Sequence, residues 1–291
     1  MISRRSFLLP GLILPFSVGC ADAGANAAWV TERDEKRFSV AGKPELVLST
    51  FDGPIEVRSW DRAEVLVVVE KRAISREASA AIQVDSSQQG DRVIVEVKHP
   101  GHNVWNWFGA GSARLIVSVP QTADVRASSG DGSIRLDGVN GAIALRSGDG
   151  RIIASHSSGT VSAATGDGSI DLDGVQGTVE ATTGDGRVRV TGRLTGLRAR
   201  SGDGSITIAA DPGSVVESDW DISSGDGSVS LQIPDGFNAD LEARTGDGGI
   251  HFDGVSVSGS VTRHAVTGRL GSGGRAVRLR TGDGSIQLRR S

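Results

Sequence analysis

The chain has 291 residues, of which 41 are glycine and only 4% are aromatic, with one cysteine and no tyrosine. Its 31 lysine and arginine residues are outnumbered by 35 acidic residues, and this balance argues against nucleic-acid binding, which needs a basic surface. A single cysteine also excludes an internal disulfide framework. Because valine, isoleucine and leucine recur at regular intervals, the glycine excess indicates an ordered repeat.

Residues 1–20 have the features of an export signal. Arg4 and Arg5 precede a short apolar stretch that proline and glycine interrupt and that is too short to span a bilayer. Residues 3–9 (Ser-Arg-Arg-Ser-Phe-Leu-Leu) resemble the twin-arginine export motif, and an ordinary secretory signal with two arginines is the alternative.

The single cysteine, Cys20, predicts a lipid anchor. It follows Ser-Val-Gly at 17–19, which resembles a bacterial lipobox, so Cys20 would become the lipid-modified first residue of the mature protein. Several acyl chains would hold such a residue stably on a membrane. The alternative is a plain cleavage site within 21–28, which would discard Cys20.

The next predicted elements are a spacer over 21–37 and an N-terminal β region over 38–124. The β region is interpreted as the first coils of a stack with an inserted hairpin, capping one end. Five of its stretches alternate in polarity or are rich in valine and isoleucine, as strands are: 45–48, 55–58, 64–70, 93–97 and 114–119.

A glycine-flanked segment between the last two of these strands is unusually aromatic. It contains Trp105, Trp107 and Phe108, whereas aromatic residues are rare elsewhere. One interpretation is a cap over the open end of the stack. The other is an interaction loop that contacts a membrane, a sugar or a protein partner.

One motif then occurs eight times between positions 129 and 284: a hydroxyl residue and Gly-Asp-Gly, followed after one further residue by alternating apolar residues. The first five copies are evenly spaced at 18, and the later spacings are 23, 21 and 36. The last spacing is interpreted as two periods with one degraded copy. A fixed period of about 20 residues indicates one small unit stacked on copies of itself. The aspartates are Asp131, Asp149, Asp167, Asp185, Asp203, Asp226, Asp247 and Asp283.

Each unit has the pattern strand, turn, strand, turn, and two architectures fit it. In a parallel β-solenoid each unit is one coil, and coils stack at ~4.8 Å with two sheets facing across a thin core. In an antiparallel meander each Gly-Asp-Gly is a hairpin turn. Because stacked coils must match in length, the constant spacing favours the solenoid. The sequence therefore predicts an all-β, two-sheet parallel β-solenoid of 18-residue coils over 125–291, capped by 38–124.

At residues 53–61 (Gly-Pro-Ile-Glu-Val-Arg-Ser-Trp-Asp) and in the recurrent Gly-Asp-Gly-x-Ile turns, the chain resembles a known family. The family consists of bacterial envelope proteins of unknown function that are called putative adhesins. The resemblance covers roughly residues 38–291. It implies a β-solenoid fold and a place in the cell envelope, and it implies no catalytic residues.

In a solenoid the repeat aspartates form a ladder along one edge. The simplest interpretation is that aspartate and hydroxyl bind local backbone while the glycines supply positive φ angles. A calcium ladder is the second interpretation, although calcium needs six or more oxygens and one aspartate per coil supplies few. Its ligands would include Asp131, Asp149, Asp167, Asp185 and Asp203.

The predicted function is that of a non-catalytic, exported, lipid-anchored envelope protein with a structural or adhesive role. It would lie on the periplasmic side or the cell surface and would need no cofactor. Its partners would be the membrane, through Cys20, and an envelope glycan or protein. A calcium-stabilised binding module is the first alternative. A β-helix carbohydrate-active enzyme with paired carboxylates is the second, although no copy of the motif is chemically distinct.

Overall fold

The computed structural model describes residues 29–98 and 111–291, and within them the chain is almost entirely β. No helix in this part of the chain is long and apolar enough to cross a membrane. The strands before the first repeat motif are β1 (Val30–Ser39), β2 (Glu45–Thr50), β3 (Ile55–Trp60), β4 (Glu64–Ala73), β5 (Gln83–Gln89), β6 (Arg92–Lys98), β7 (Ser112–Pro120) and β8 (Asp124–Ser129), with helix α1 (Arg76–Ala81) between β4 and β5.

The repeat region contributes the remaining strands. Those of the evenly spaced repeats are β9 (Ile134–Asp137), β10 (Asn140–Ser147), β11 (Ile152–Ser155), β12 (Ser158–Thr165), β13 (Ile170–Thr183), β14 (Val188–Ser201) and β15 (Ile206–Ala210). Those of the unevenly spaced repeats are β16 (Trp220–Ser224), β17 (Val229–Ile233), β18 (Ala239–Thr245), β19 (Ile250–Asp253), β20 (Ser258–Val261), β21 (Ala265–Leu270), β22 (Ala276–Thr281) and β23 (Ile286–Arg290).

The repeat strands pair in parallel, each copy with its neighbour. Strands that precede a Gly-Asp-Gly turn form one series of pairs, here called the pre-turn ladder; Ile143, for example, pairs with Val161. Strands that follow a turn form the post-turn ladder, in which Ile134 pairs with Ile152. In both pairs the offset along the chain equals the spacing of the evenly spaced motifs. The antiparallel meander is therefore wrong for these repeats.

The sequence predicted two separate sheets, but in the structure the two ladders belong to one sheet. Strands β13 and β14 have 14 residues each and run from the post-turn ladder into the pre-turn ladder, joining all described strands into one 23-stranded sheet. Glycines lie where the backbone bends, and the pairing of β13 with β14 shifts register there, between Leu172 and Val175. Gly174 has a φ of 62° and Gly192 a φ of 143°, values that side-chain-bearing residues adopt only with strain.

The core is one continuous cluster of small and branched apolar side chains that runs along the stack. In β9 the alternating residues Ile134 and Leu136 are fully buried, and Ile152 and Ala154 repeat the pattern in β11. Each fully buried valine, leucine or isoleucine contributes about 1.5–3 kcal/mol relative to an exposed one. The equivalent columns are buried in the other coils too, except in β19, where Ile250 and Phe252 are only partly buried. Stacking, rather than any single contact, is therefore the source of stability.

The first coil in sequence is not the first in the stack. β2 and β3 enclose the segment Phe-Asp-Gly-Pro at 51–54, which takes the place of a Gly-Asp-Gly turn. They pair in parallel with β8 and β9 on one side. On the other side they pair in parallel with β6 and β7, which come later in the chain. The coil formed by β6 and β7 thus lies outside the first coil. Antiparallel strands β5, β4 and β1 then cover that end of the stack.

Part of the predicted spacer is a strand. Residues 30–37 form most of β1, which pairs with β4 in antiparallel fashion from Val30–Ala73 to Ser39–Glu64. The six consecutive charged residues over 32–37 conceal the polarity alternation that would mark a strand. Charged side chains are typical of strands at a sheet edge, where they discourage pairing with other chains.

The C-terminal coil is also inserted. β22 lies between β16 and β18, and β23 lies between β17 and β19, so the last repeat in sequence is the second-last in space. The predicted degraded copy between the last two motifs is wrong. Residues 258–270 instead form β20 and β21, which extend the sheet beyond β18 with antiparallel pairing.

This insertion predicts that the C-terminal strand is protected from local unfolding. Because β23 is hydrogen-bonded on both sides, its amide hydrogens should exchange at least about 100-fold more slowly than those of the exposed strand β20. Native-state hydrogen exchange followed by mass spectrometry measures both segments in one sample. Exchange of 286–290 as fast as that of 258–261 would contradict the placement.

Candidate functional site

The hydroxyl of each repeat motif joins two coils. The Ser147 hydroxyl accepts a hydrogen bond from the Gly150 N–H (3.0 Å) and donates to the Gly132 carbonyl of the preceding coil (2.9 Å). The bond to the neighbouring coil occurs at all eight motifs, with lengths of 2.7–3.1 Å. We call this series the hydroxyl ladder: Ser129, Ser147, Thr165, Thr183, Ser201, Ser224, Thr245 and Thr281.

The hydroxyl ladder confirms the predicted bond between the hydroxyl and backbone. The sequence did not indicate that the bonded carbonyl belongs to the neighbouring coil. The side chains of the hydroxyl ladder are all buried, at most 8% exposed. Each hydroxyl therefore satisfies carbonyl groups that water cannot reach, and losing one would leave buried polar groups unpaired at a cost of about 1–3 kcal/mol.

The motif glycines are required for close backbone approach and not, as predicted, for positive φ. None of the eight motifs has a glycine in the left-handed region. A Cβ placed on Gly150 or Gly168 would lie less than 3.0 Å from a carbonyl oxygen of the preceding coil. The first glycines of successive motifs are themselves hydrogen-bonded, with the Gly166 N–H donating to the Gly148 carbonyl at 2.5 Å. Any side chain would push the coils apart.

The motif aspartates differ from the hydroxyls in every respect. All eight side chains are exposed, and none makes a hydrogen bond or ion pair with the residues that the structure describes. The prediction that they bind local backbone is wrong. Nearby arginines do not offset them either, since Arg151 pairs with Asp171 (2.6 Å) and Arg200 with Asp221 (3.2 Å), both on strands.

In the described part of the chain the motif aspartates do not cluster with other metal-binding side chains. Across residues 29–98 and 111–291, no three histidine, cysteine, aspartate or glutamate side chains lie close enough together to hold a metal ion. The five aspartates predicted as a calcium ladder, Asp131, Asp149, Asp167, Asp185 and Asp203, lie on separate coils and form no such group.

A groove of about 490 Å³ lies at the opposite edge of the stack, near its N-terminal end. It is lined by three segments far apart in sequence, 40–43, 59–63 and 120–122. Trp60 is held in place because its indole N–H donates to the Glu64 carbonyl at 2.9 Å. The guanidinium carbon of Arg62 lies 5.0 Å from the centre of the indole ring.

Charged groups surround this groove. Lys43 forms an ion pair with Asp124 (2.5 Å), whose carboxylate also accepts a hydrogen bond from the Ala142 N–H (2.7 Å). Partial burial opposes ionisation of Asp124, but the bonds from Lys43 and Ala142 outweigh it and lower the pKa of this carboxyl group. The groove thus combines an aromatic ring with cationic and amide side chains, and this mixture suits a polar ligand with an apolar face.

Several sequence-predicted site residues lie outside the described residues. They are Arg4 and Arg5 of the export signal, Cys20, and the aromatic residues Trp105, Trp107 and Phe108. The strands that flank the aromatic segment are β6 and β7, which occupy the positions of a pre-turn and a post-turn strand. The roles proposed for these residues remain predictions.

The sequence profile of the Toastrack DUF4097 family matches residues 44–289. The chain belongs to this family. The assignment confirms the resemblance noted from the glycine-aspartate turns, and the all-β fold and repeated pairing are those of a Toastrack protein. No match was found among curated proteins.

Solved structures similar to this Toastrack chain share little sequence with it. A putative adhesin from Bacteroides fragilis is 9% identical; the match covers 89% of this chain and 97% of that one, with a TM-score of 0.46. A putative lipid binding protein from Parabacteroides distasonis is 11% identical, with 88% and 96% covered and a TM-score of 0.47. A putative cell adhesion protein from Clostridium sporogenes is 12% identical; the match covers 90% of this chain and 100% of that one, with a TM-score of 0.32.

The contrast between glycine and aspartate gives a direct test within one motif. Gly168→Ala places a methyl group against the carbonyl of Gly150 and should destabilise the protein by about 1–3 kcal/mol or more. The neighbouring change Asp167→Ala removes an exposed side chain without partners and should alter stability by less than about 0.5 kcal/mol. Urea unfolding measures both free energies, and equal losses would contradict the assigned roles.

Proposed function

We propose that this Toastrack protein is an exported, lipid-anchored and non-catalytic module of the bacterial cell envelope. Its two ladders are the faces of one β-solenoid with an 18-residue coil. The pre-turn ladder contains ten successive parallel strands, from β6 to β18. At ~4.8 Å per strand the stack is a rod about 50 Å long. Such a rod offers an extended surface for repeated contacts in the envelope.

The hydroxyl ladder is the observation that supports the non-catalytic part of this proposal. A catalytic hydroxyl must reach a substrate and usually stands beside a base, whereas the repeat hydroxyls are buried and bonded to backbone. The aspartates share one exposed environment along the whole edge, and catalysis instead requires one group with a distinct setting. The chemistry of the repeat therefore favours support over reaction.

The groove beside Trp60 is the binding surface that we assign to the module. Envelope glycans present flat apolar sugar faces and many hydroxyls. The partly exposed ring of Trp60 can stack on such a face, while Lys43, Arg62 and Gln121 supply polar contacts at the same site.

The anchor predicts a clear change in cellular location. Cys20→Ser removes the thiol that would carry the lipid, so the protein should move from the membrane fraction to the soluble fraction and should no longer incorporate radiolabelled palmitate. Cell fractionation with immunoblotting measures the distribution. The exposed change Asp167→Ala, which leaves residues 17–20 intact, serves as the control. Unchanged membrane association and processing of Cys20→Ser would contradict the anchor.

The groove predicts that binding depends on a few side chains at the edge opposite the aspartates. Screening peptidoglycan fragments and lipopolysaccharide glycans, with and without calcium, should identify a ligand whose affinity falls about tenfold or more in Trp60→Ala. Arg62→Gln should weaken binding severalfold. Arg58→Gln, an exposed change earlier in the same strand-and-turn segment, should not. Equal affinity in all three variants would place the ligand elsewhere.

A further inference from the structure

Two exposed apolar side chains are neighbours at the N-terminal end of the stack. Trp29 is 47% exposed and Ile74 is 61% exposed. Each lies one residue beyond the pair Val30–Ala73 that ends the antiparallel ladder of β1 and β4, so they face each other across the two strands. The guanidinium carbon of Arg72 lies 4.9 Å from the centre of the Trp29 ring. We call Trp29, Arg72 and Ile74 the N-terminal corner.

The corner lies at the same edge as the Gly-Asp-Gly turns. β3 and β7 begin at that edge, β4 is antiparallel to β7 and therefore ends there, and β1 is antiparallel to β4 and begins there. Trp29 and Ile74 are thus at the turn edge but outside the outermost coil. The edge has two chemically distinct parts, a small apolar and cationic end and a long row of aspartates.

The distance to the proposed anchor is short. Cys20 and Trp29 are nine residues apart, so in any conformation their Cα atoms are within about 30 Å of each other. A protein anchored at Cys20 would therefore hold the corner close to the bilayer surface. Tethering gives the corner an effective concentration near the millimolar range, at which even a weak contact is populated.

We propose that the N-terminal corner rests on the lipid surface and holds the rod end-on to the membrane. Trp29 and Ile74 enter the boundary between headgroups and acyl chains, where indole rings are favoured, and Arg72 contacts lipid phosphate. This inference depends on the lipid anchor proposed above. It adds that the anchored protein has one defined orientation.

The charge along the turn edge supports the upright orientation. If the rod lay flat on that edge, the eight exposed aspartates would face the headgroups, and anionic lipids would repel them. An end-on rod brings the N-terminal end with its corner to the membrane and keeps most of the aspartate row away from it. The exposed charges next to the corner on α1, Arg76 and Glu77, offset each other.

The orientation can be measured on a defined bilayer. Because Cys20 is the only cysteine, the chain from Cys20 onward can be coupled through that thiol to a maleimide lipid. The bilayer would contain phosphatidylcholine and phosphatidylglycerol in a 3:1 ratio. Neutron reflectometry should show a protein layer about 50 Å thick, the length of the stack. A layer of about 25 Å, roughly the width of one coil, would overturn the proposal.

Matched variants distinguish the effect of the corner from the effect of other exposed apolar side chains. Trp29→Ser combined with Ile74→Ser should thin and broaden the protein layer, because the upright contact is lost. Val215→Ser combined with Val261→Ser removes side chains of similar exposure, 49% and 53%, and should leave the layer unchanged. A corner variant with the same layer as the parent chain would also overturn the proposal.

Fluorescence gives a second reading of the same contact. Brominated lipids should quench part of the tryptophan emission, and Trp29→Phe should remove a measurable share of that quenching. Trp220→Phe, which changes a buried indole on a strand in the distal half of the stack, should not. Equal quenching in the two variants would count against the corner. Since the coupling is chemical, none of these outcomes depends on lipidation of Cys20 in the cell, which fractionation of Cys20→Ser tests separately.

Discussion

Successive coils meet at the turn edge with their backbones in direct contact, and the rest of the structure depends on that approach. A glycine N–H of one coil donates to a glycine carbonyl of the preceding coil, and a buried hydroxyl bridges the same two coils. Neither bond would form if a side chain separated the strands. The requirement recurs in every coil, so the motif must recur as well. Its aspartate is free of the requirement and points to solvent.

Much of the repeat region could be predicted from the sequence because its period directly reflects the stacking. The even spacing predicts parallel pairing at an offset of one motif period, and the hydroxyl position predicts a bond to backbone. The role of the glycines could not be predicted, because an Asp-Gly turn more often needs glycine for its φ angle than for a neighbouring strand. The neighbouring strand belongs to another repeat, so the residues that flank the glycine do not indicate it.

The order of the coils could not be predicted either. The long interval between Asp247 and Asp283 fits a degraded copy as well as the observed detour, in which β20 and β21 pass around the end before β22 returns between β16 and β18. A similar insertion occurs at the other end, where the first coil in sequence lies between the coil of β6 and β7 and the coil that begins with β8. Both terminal coils are thereby paired on two sides. The groove was also missed, because its three lining segments are far apart in the chain.

Different parts of the molecule have different proposed roles. The repeat provides length and rigidity, the groove beside Trp60 offers a mixed aromatic and polar surface, and the corner at Trp29 lies next to the proposed anchor. The groove and the corner stand at opposite edges of the same end of the rod. Both surfaces that we propose for interaction therefore lie outside the repeat, although the repeat dominates the sequence.

The central claim is that the repeat motif serves stacking and that its aspartates take no part in folding or ligand binding. Replacing all eight motif aspartates by asparagine in one chain tests this claim most directly, with thermal unfolding measured with and without millimolar calcium. We expect a folded protein with an unchanged or higher melting temperature, because like charges at ~4.8 Å spacing are removed. Loss of folding, or a calcium-dependent melting temperature that the substitutions abolish, would contradict the claim.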